Sequence, residues 1–261
     1  MDLLLADKSA LVTGADRGTG LVIARALADE GARVLLHGMG QASAQDAAEQ
    51  IEGAQPVWGE IDSEAGTAEL VEQLATLDAV DILVNNYGTA SRGKWQTATE
   101  DDWLDMYQKN VLSAARLARA LVPGMAARGW GRVIQLGTIG SHQPNSLMPH
   151  YYSAKGALAT LSASLALEVA NTGITVNTVS PGLIHTEELE ALYRARAAKK
   201  GWGEEWPAIL DKLVEEDFPN PVGRIATREE VADLVVFLCS PRADFIHGQN
   251  IRVDGGAVRY V

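Results

Sequence analysis

SALVTGADRGTGLVIARALADEG, residues 9–31, is the stretch whose reading decides the fold. It opens with a short apolar run, SALVTG (9–14), of the length and composition of a buried strand. Glycines stand at 14, 18 and 20, and a helical pattern then runs on to Gly31, the residue type that ends helices in left-handed backbone. Glycine permits a tight turn and a close backbone approach to a ligand, and the N-terminus of the following helix presents N–H groups to an anion. A glycine triplet alone is weak evidence. Strand, glycine loop and helix in that order form the start of a βαβ unit that cradles a dinucleotide.

The alternation continues to the end of the chain. ARVLLHG (32–38), QPVWG (55–59), VDILVNN (80–86), GRVIQLG (131–137), ITVNTVS (174–180) and NIRVDGG (250–256) read as further strands. Most are apolar on both faces, as in a parallel sheet covered on both sides. Helical patterns lie between them at about 18–30, 41–53, 64–77, 100–128, 150–171 and 227–240, with Gly173 placed as a second helix stop. The expectation is an α/β fold: a single domain over 1–261, with a Rossmann-like, doubly wound, seven-stranded parallel sheet. Residues 186–220 break the rhythm with two helices and no strand, EELEALYRARAAKK and EEWPAILDKLVEE, hinged at Gly201 and Gly203. An insertion there is placed to act as a small helical lid over a substrate.

Composition excludes several classes. A formal charge of −12 argues against a nucleic-acid partner and against anionic membranes. No run approaches the ~18 uninterrupted apolar residues of a membrane span. The first residues, MDLLLADKSALVTG, lack the basic start of a signal peptide, so a soluble, cytoplasmic protein is expected. The one cysteine, Cys239, forms no intrachain disulfide and reads as a buried apolar residue. No His, Cys or Asp cluster has metal-ligand spacing, and no metal is expected.

HYYSAK (150–155) holds two tyrosines ahead of a lysine. Tyr151 lies four residues from Lys155 and Tyr152 three, and either spacing shares a helix face. Helical geometry alone does not choose between them.

Together these stretches resemble the short-chain dehydrogenase/reductase family, whose members carry T-G-x-x-x-G-x-G, here residues 13–20. The resemblance runs on through NNYG (85–88), Asn110, the Tyr151/Lys155 pair, SPGLIHT (180–186), PVGRIATREEVADLVVFL (221–238) and GQNIRVDGG (248–256). It covers nearly the whole chain, which is similar to 3-oxoacyl-carrier-protein-reductase-like oxidoreductases. The family's Tyr-x-x-x-Lys pattern selects Tyr151, because Gly156 stands four residues after Tyr152.

The resemblance implies hydride transfer between a nicotinamide and a ketone or aldehyde, with Tyr151 as general acid and base. A free tyrosine titrates near ~10, so a phenol working near neutrality needs about 4 kcal/mol of help, assigned to Lys155 and the oxidised nicotinamide. Asn110 is implied to hold a relay water. Thirteen residues before Tyr151 relatives place a serine; here it is Thr138, which keeps the hydroxyl and adds a methyl. Ser141 is the lesser candidate.

For the dinucleotide, the resemblance implies Gly14, Asp16, Arg17, Gly18, Thr19 and Gly20, then Gly38, Glu60 and Ile61, Asn86 and Gly88. Tyr151, Lys155, Pro181, Gly182, Ile184 and Thr186 complete the set. Thr186 also reads as an N-cap of the next helix. Gly38 stands where a carboxylate would bind the ribose hydroxyls, and Arg17 offers a planar fork to a phosphate, so NADP(H) is favoured over NAD(H). Glu60-Ile61 replaces the usual Asp-Val, with Asp62 close by. Tyr87 replaces a usual alanine; either its ring turns away from the ribose or the site is remodelled. His37 either faces the adenosine or is structural.

Trp202 and Trp206, four apart, serve as packing or as a substrate wall; Trp95 and His150 are placed to border the cleft, and His142 and His185 to lie near it or on the surface. The helix from 150, rich in Ala, Leu and Ser, is expected to join 100–128 in a homotetramer, or a dimer. The main expectation is a carbonyl reductase or secondary alcohol dehydrogenase using NADPH on a small carbonyl or alcohol substrate. An NAD-dependent dehydrogenase and a catalytically silent nucleotide-binding regulator are the alternatives.

Overall fold

Each apolar run becomes a strand in the structure, a computed structural model that describes residues 2–260. The strands are β1 (Ser9–Val12), β2 (Arg33–Gly38), β3 (Gln55–Trp58), β4 (Ile82–Asn85), β5 (Gly131–Leu136), β6 (Ile174–Pro181) and β7 (Asn250–Val253). All pair in parallel in one seven-stranded sheet, ordered β3-β2-β1-β4-β5-β6-β7. Nine helices connect or follow them among the described residues: α1 (Gly18–Asp29), α2 (Gln41–Ala48), α3 (Glu64–Leu74), α4 (Glu100–Tyr107), α5 (Ser113–Arg128), α6 (Pro149–Glu168), α7 (Glu187–Lys200), α8 (Trp206–Glu216) and α9 (Arg228–Cys239).

Burial explains why the strands read as continuous apolar runs. Every residue of β1, β4, β5 and β6 is buried. Successive side chains serve opposite faces. Val12, Leu36, Val84 and Ile134 pack with Ile23 and Leu27 of α1 and Val231 and Val235 of α9. Leu11, Leu35, Leu83 and Val133 pack with Leu70 of α3, Leu117 of α5 and Ala166 of α6. The winding reverses between β1 and β4. In such a sheet the carboxyl ends of those two strands diverge and leave a crevice for a ligand.

Several boundaries depart from expectation. The helix expected over 100–128 is interrupted: α4 ends at Tyr107, Gln108–Leu112 form a π-helical turn, and α5 resumes at Ser113. Sequence period cannot show such a turn, since its one extra residue leaves the apolar pattern readable on both sides. The helix expected to reach 53 stops at Ala48, where tighter bonds from Gln50 to Ala47 and Ile51 to Ala48 lead to Gly53 at φ +75°. Gly31 ends α1 as expected, at φ +86°. Gly173 is left-handed as expected, at φ +77°, but it lies five residues past the end of α6 at Glu168, and a Cβ there would also stand 2.1 Å from the Gly129 carbonyl oxygen.

The inserted segment forms α7 and α8 around a core of its own, made by Tyr193, Ala197, Ile209, Leu213 and Phe218. Gly201 and Gly203 between them take φ of +70° and +93°. Trp202 therefore lies in the turn and Trp206 starts α8, so the pair does not share one helix face. Among the described residues no helix is long and apolar enough to cross a membrane.

The β3–α3 connection offers a test of how closely the backbone packs. A Cβ on Gly66 would lie 2.3 Å from the carbonyl oxygen of Glu60 and 2.5 Å from its backbone nitrogen. Alanine would gain about 1 kcal/mol of helix propensity in α3, but the clash is with backbone, and overpacking costs about 1–3 kcal/mol. Gly66→Ala is expected to lower the urea midpoint; a midpoint at or above the parent's would show that the turn yields freely.

Candidate functional site

The glycine loop is held from three sides. Thr13 Oγ1 accepts from the Tyr87 N–H at 3.0 Å and donates to the Val84 carbonyl at 3.3 Å. The Asn86 amide donates to the carbonyls of Thr13 and Gly14, at 2.9 and 3.0 Å. A Cβ on Gly20 would stand 2.3 Å from the Gly14 oxygen and 2.5 Å from that amide, so only glycine fits there. Gly14 and Gly18 take φ of +57° and +60°. α1 starts at Gly18 with no side-chain cap on its free N–H groups. An uncapped helix start beside three close-packed glycines is a place for a phosphate. Arg17 is exposed beside it and belongs to no ion pair among the described residues.

At the far end of the crevice, Gly38 abuts the start of α2. A Cβ there would lie 3.0 Å from Ser43 Oγ and 3.1 Å from the Ala44 nitrogen. Ile61 is buried, with its carbonyl accepting from Thr67 and Arg116, while Glu60 is exposed and its carbonyl ends the turn to Ser63. Tyr87 is turned toward Asp62, its hydroxyl 3.4 Å from the carboxylate, and burial with that carboxylate pushes the phenol up. His37 is fully buried.

The other end gathers the residues expected to do chemistry. Asn110 sits in the π turn, and its amide donates to the carbonyls of Thr89 (2.9 Å) and Met106 (3.0 Å). Its Oδ1 is buried with no protein partner. Gly88 leaves room beside it: a Cβ there would be 2.5 Å from Asn110 Oδ1 and 3.1 Å from Lys155 Nζ. Lys155 is buried and donates to the Leu136 carbonyl at 2.7 Å. Desolvation pushes its ammonium down to about 8. Tyr151, one helical turn earlier on α6, is pushed up to about 12, first by burial and then by Tyr152. The protein by itself thus holds the phenol protonated, and no hydrogen bond joins it to Lys155.

Thr138 and the second tyrosine sort themselves by their bonds. Thr138 Oγ1 accepts from the Gly140 N–H at 3.2 Å, which leaves its own hydrogen free to donate. Ser141 spends its hydroxyl on the Thr138 carbonyl at 2.7 Å. Tyr152 lies over Gly140, where a Cβ would come within 2.0 Å of the ring, and its hydroxyl accepts from Asn145 at 3.0 Å. It braces the Thr138 turn from outside. His142 braces it from below, bonded at 3.0 Å to Asn250, which in turn accepts from Ser180 at 2.7 Å.

Pro181 ends β6 and is buried, and Gly182 after it makes room for the Phe218 ring, 2.5 Å from where a Cβ would be. Ile184 bridges Ala226 in parallel, through bonds from His185 to Ala226 and from Ala226 to Leu183. That pairing leaves the N–H and carbonyl of Ile184 itself aimed away from Ala226. Thr186 is an N-cap, accepting from Leu189 at 3.1 Å. Trp206 stacks on His185 with centroids 5.4 Å apart. Trp202 is covered by Arg196 and Lys200. Trp95 is exposed and tilts against Trp103 at 5.3 Å; Trp103 lies 6.0 Å from His150, whose Nε2 bonds Ser91 at 2.9 Å.

The site is therefore a crevice with a free helix N-terminus at its middle and a buried cation, a protonated phenol, a free hydroxyl and an orphaned amide oxygen at one end. That set suits a phosphate-bearing cofactor and a proton transfer to an oxygen. Among the described residues no cluster of three His, Cys, Asp or Glu could hold a metal ion. Ser43 escaped the sequence reading, and Thr13 stood in the glycine motif without a role of its own; for His37 and Tyr152, which the sequence left undecided, only the packing shows what each ring touches.

The comparisons agree with this geometry. The family model described as enoyl-(acyl carrier protein) reductase, a short-chain alcohol dehydrogenase type, matches residues 14–258. The uncharacterized oxidoreductase YvrD of Bacillus subtilis is 33% identical over 262 residues, 99% of each chain. The 3-oxoacyl-(acyl-carrier-protein) reductase FabG of Vibrio cholerae is 34% identical, over 97% of this chain and 98% of its own. The crystal structure of L-sorbose reductase from Gluconobacter frateurii, complexed with NADPH and L-sorbose, superposes with TM-score 0.92 at 35% identity and full coverage of both chains.

Lys155 yields a stability prediction. Its folded value, about 8, lies below the ordinary 10.5, so between those pH values the unfolded chain binds more protons and stability contributed at this position rises with pH. At pH 7 the buried ammonium costs on the order of 3 kcal/mol. Lys155→Met is expected to be more stable than the parent at pH 7, with the gap closing toward pH 10. Urea unfolding at several pH values checks this, and a gap that stays constant would show that Lys155 does not titrate in that window.

Proposed function

The chain belongs to the short-chain dehydrogenase/reductase family, and from that premise we propose that it is an NADPH-dependent carbonyl reductase, reversible as a secondary alcohol dehydrogenase. The observation that carries the reading is the meeting of Asn110 Oδ1 and Lys155 Nζ at Gly88, one turn of α6 from Tyr151. A buried ammonium and an orphaned acceptor at one point have no packing purpose; they serve a proton path.

When bound, the cofactor supplies the hydride that reduces the carbonyl carbon. The phenol of Tyr151 donates its proton to the substrate oxygen, and the burial that keeps it protonated favours that direction. In the alcohol-oxidising direction the same oxygen must lose its proton first, which requires Lys155 in its charged form. The Thr138 hydrogen donates to the substrate oxygen and fixes its position. Asn110 Oδ1 accepts from a water that reprotonates the site through Lys155. Gly14, Asp16, Arg17, Gly18, Thr19 and Gly20 hold the pyrophosphate side, and Gly38, Glu60 and Ile61, with Asp62, the adenosine. Asn86, Gly88, Pro181, Gly182, Ile184 and Thr186 line the nicotinamide side, where the free backbone groups of Ile184 suit a carboxamide. Arg17 and the absence of a side chain at Gly38 favour a 2′-phosphate, and the NADPH bound in the sorbose reductase accords with this.

The substrate is a ketone or aldehyde. The acyl-carrier-protein and sorbose reductases among the relatives bracket its class between a 3-oxoacyl chain and a polyhydroxy ketone. The α7–α8 pair closes over it. Exposed Leu104, Tyr107 and Leu112, and Leu167 at 81% exposure on α6, support assembly into a homotetramer.

Two outcomes follow. With NADPH and a panel of ketones and aldehydes, turnover is expected to fall about 10²–10⁴-fold in Tyr151→Phe; retained turnover would remove Tyr151 from the chemistry. Arg17→Ala is expected to raise the NADPH KM about tenfold while leaving the NADH KM unchanged; equal effects on both would reassign Arg17, and turnover with NADH alone would favour the NAD-dependent reading.

A further inference from the structure

The end of β2 carries a side chain that the proposed reaction does not use. His37 is fully buried, and both ring nitrogens are engaged. Nδ1 lies 3.1 Å from the Gly14 nitrogen, and Nε2 lies 3.0 Å from the Gly59 carbonyl oxygen. A backbone N–H can only donate and a carbonyl can only accept, so one tautomer satisfies both contacts: the hydrogen is on Nε2 and the lone pair on Nδ1. The backbone adds a third tie, from the Ala15 N–H to the His37 carbonyl at 2.7 Å.

These bonds join two parts of the crevice that the sheet does not join directly. Gly14 begins the phosphate loop after β1. Gly59 begins the adenosine-side turn after β3, which carries Glu60 and Asp62. Gly59 has no slack of its own: it takes φ +156°, and a Cβ there would meet the Gly66 oxygen at 2.4 Å. The imidazole is a rigid spacer between a fixed point and a loop whose opposite side is pinned by Asn86.

We infer that His37 is a positioning residue for the dinucleotide, a neutral strut that sets the Gly14 turn at a fixed height above the β3 turn and so presents the N-terminus of α1 to the pyrophosphate. The inference rests on the cofactor reading above. Burial holds His37 down at about 4, against the raising effects of the Gly59 carbonyl and Asp16, so the ring keeps its acceptor throughout the neutral range. Because the Gly14 N–H is spent on the ring, the phosphates are left to the N–H groups of α1's first turn, whose aim depends on where the ring places Gly14.

Two conservative variants separate the bonds. The side-chain oxygen of asparagine overlies Nδ1, so His37→Asn keeps an acceptor for Gly14. The amide of glutamine reaches the level of Nε2, so His37→Gln keeps the Gly59 tie and loses the Gly14 one. NADPH affinity by fluorescence titration, hydrogen exchange at the Gly14 amide, and KM against kcat are measured for both. His37→Gln is expected to weaken NADPH binding about tenfold, with a matching rise in KM, kcat within about twofold of the parent, and faster Gly14 exchange. His37→Asn is expected to stay within about threefold of parental affinity with Gly14 still protected. Parental affinity in His37→Gln, equal losses in both variants with Gly14 protection unchanged, or a fall in kcat at unchanged KM would each overturn the strut. Failure of the parent to bind NADPH would overturn the cofactor reading instead, and Gly14 exchange in the two variants would still decide whether the ring holds the loop.

Discussion

Lys155 brings a positive charge into the interior with one protein hydrogen bond, to the Leu136 carbonyl, and no carboxylate beside it. Burying an unpaired cation is among the most costly things a fold can do, and much of the local structure follows from accommodating it. Gly88 must lack a side chain to leave the ammonium its space. The π turn carries Asn110 inward, where its amide is consumed by two carbonyls and its oxygen is left facing the same space. β5 ends so that the Leu136 carbonyl points at the ammonium. Stability is given up at one point, and a preorganised positive field is obtained there in exchange.

The phenol beside it is governed by the same burial with the opposite sign. Removing a charge from water raises an acid and lowers a base, so Tyr151 and Lys155 are driven toward their neutral forms together. Expecting the lysine simply to pull the tyrosine down to neutrality neglects this shared desolvation. The protein alone presents a proton donor, suited to an oxygen that is gaining negative charge. The reverse direction has to draw its driving force from charge that arrives with the ligands.

How much of this was legible depended on whether the signal lay in pattern or in packing. The sheet was legible because strands buried on both faces must be apolar throughout, and because the glycines at 14, 18 and 20 admit few other uses. Tyr151 and Lys155 were legible through their spacing within a family pattern. The choice between the two tyrosines was not, from helical geometry alone, since Tyr152 differs chiefly in lying over Gly140, a contact made across the fold. The π turn was hidden because one added residue does not disturb the period on either side. Trp202 and Trp206 misled for the opposite reason: four-residue spacing implies one face only if the helix is continuous, and Gly201 ends α7 before Trp202.

The adenosine end shows why departures from a family pattern are best read together. Tyr87 and Glu60-Ile61 look like separate departures along the chain, and His37 like an unrelated residue of a strand end. In space they form one arrangement: Tyr87 turns its hydroxyl to Asp62, in the turn that begins at Gly59, and Gly59 is tied through His37 to Gly14, over which the Tyr87 backbone lies. A Cβ on Gly14 would be 3.2 Å from Tyr87 Cα, so the loop and the tyrosine cannot shift independently. A bulky ring where relatives keep a methyl group is tolerated because it closes a ring of contacts around the phosphate loop. The crevice is thereby stiffened around the phosphate loop, while α7 and α8 gather around a separate hydrophobic cluster that meets the rest of the fold through Ile139, Leu183 and Ile225.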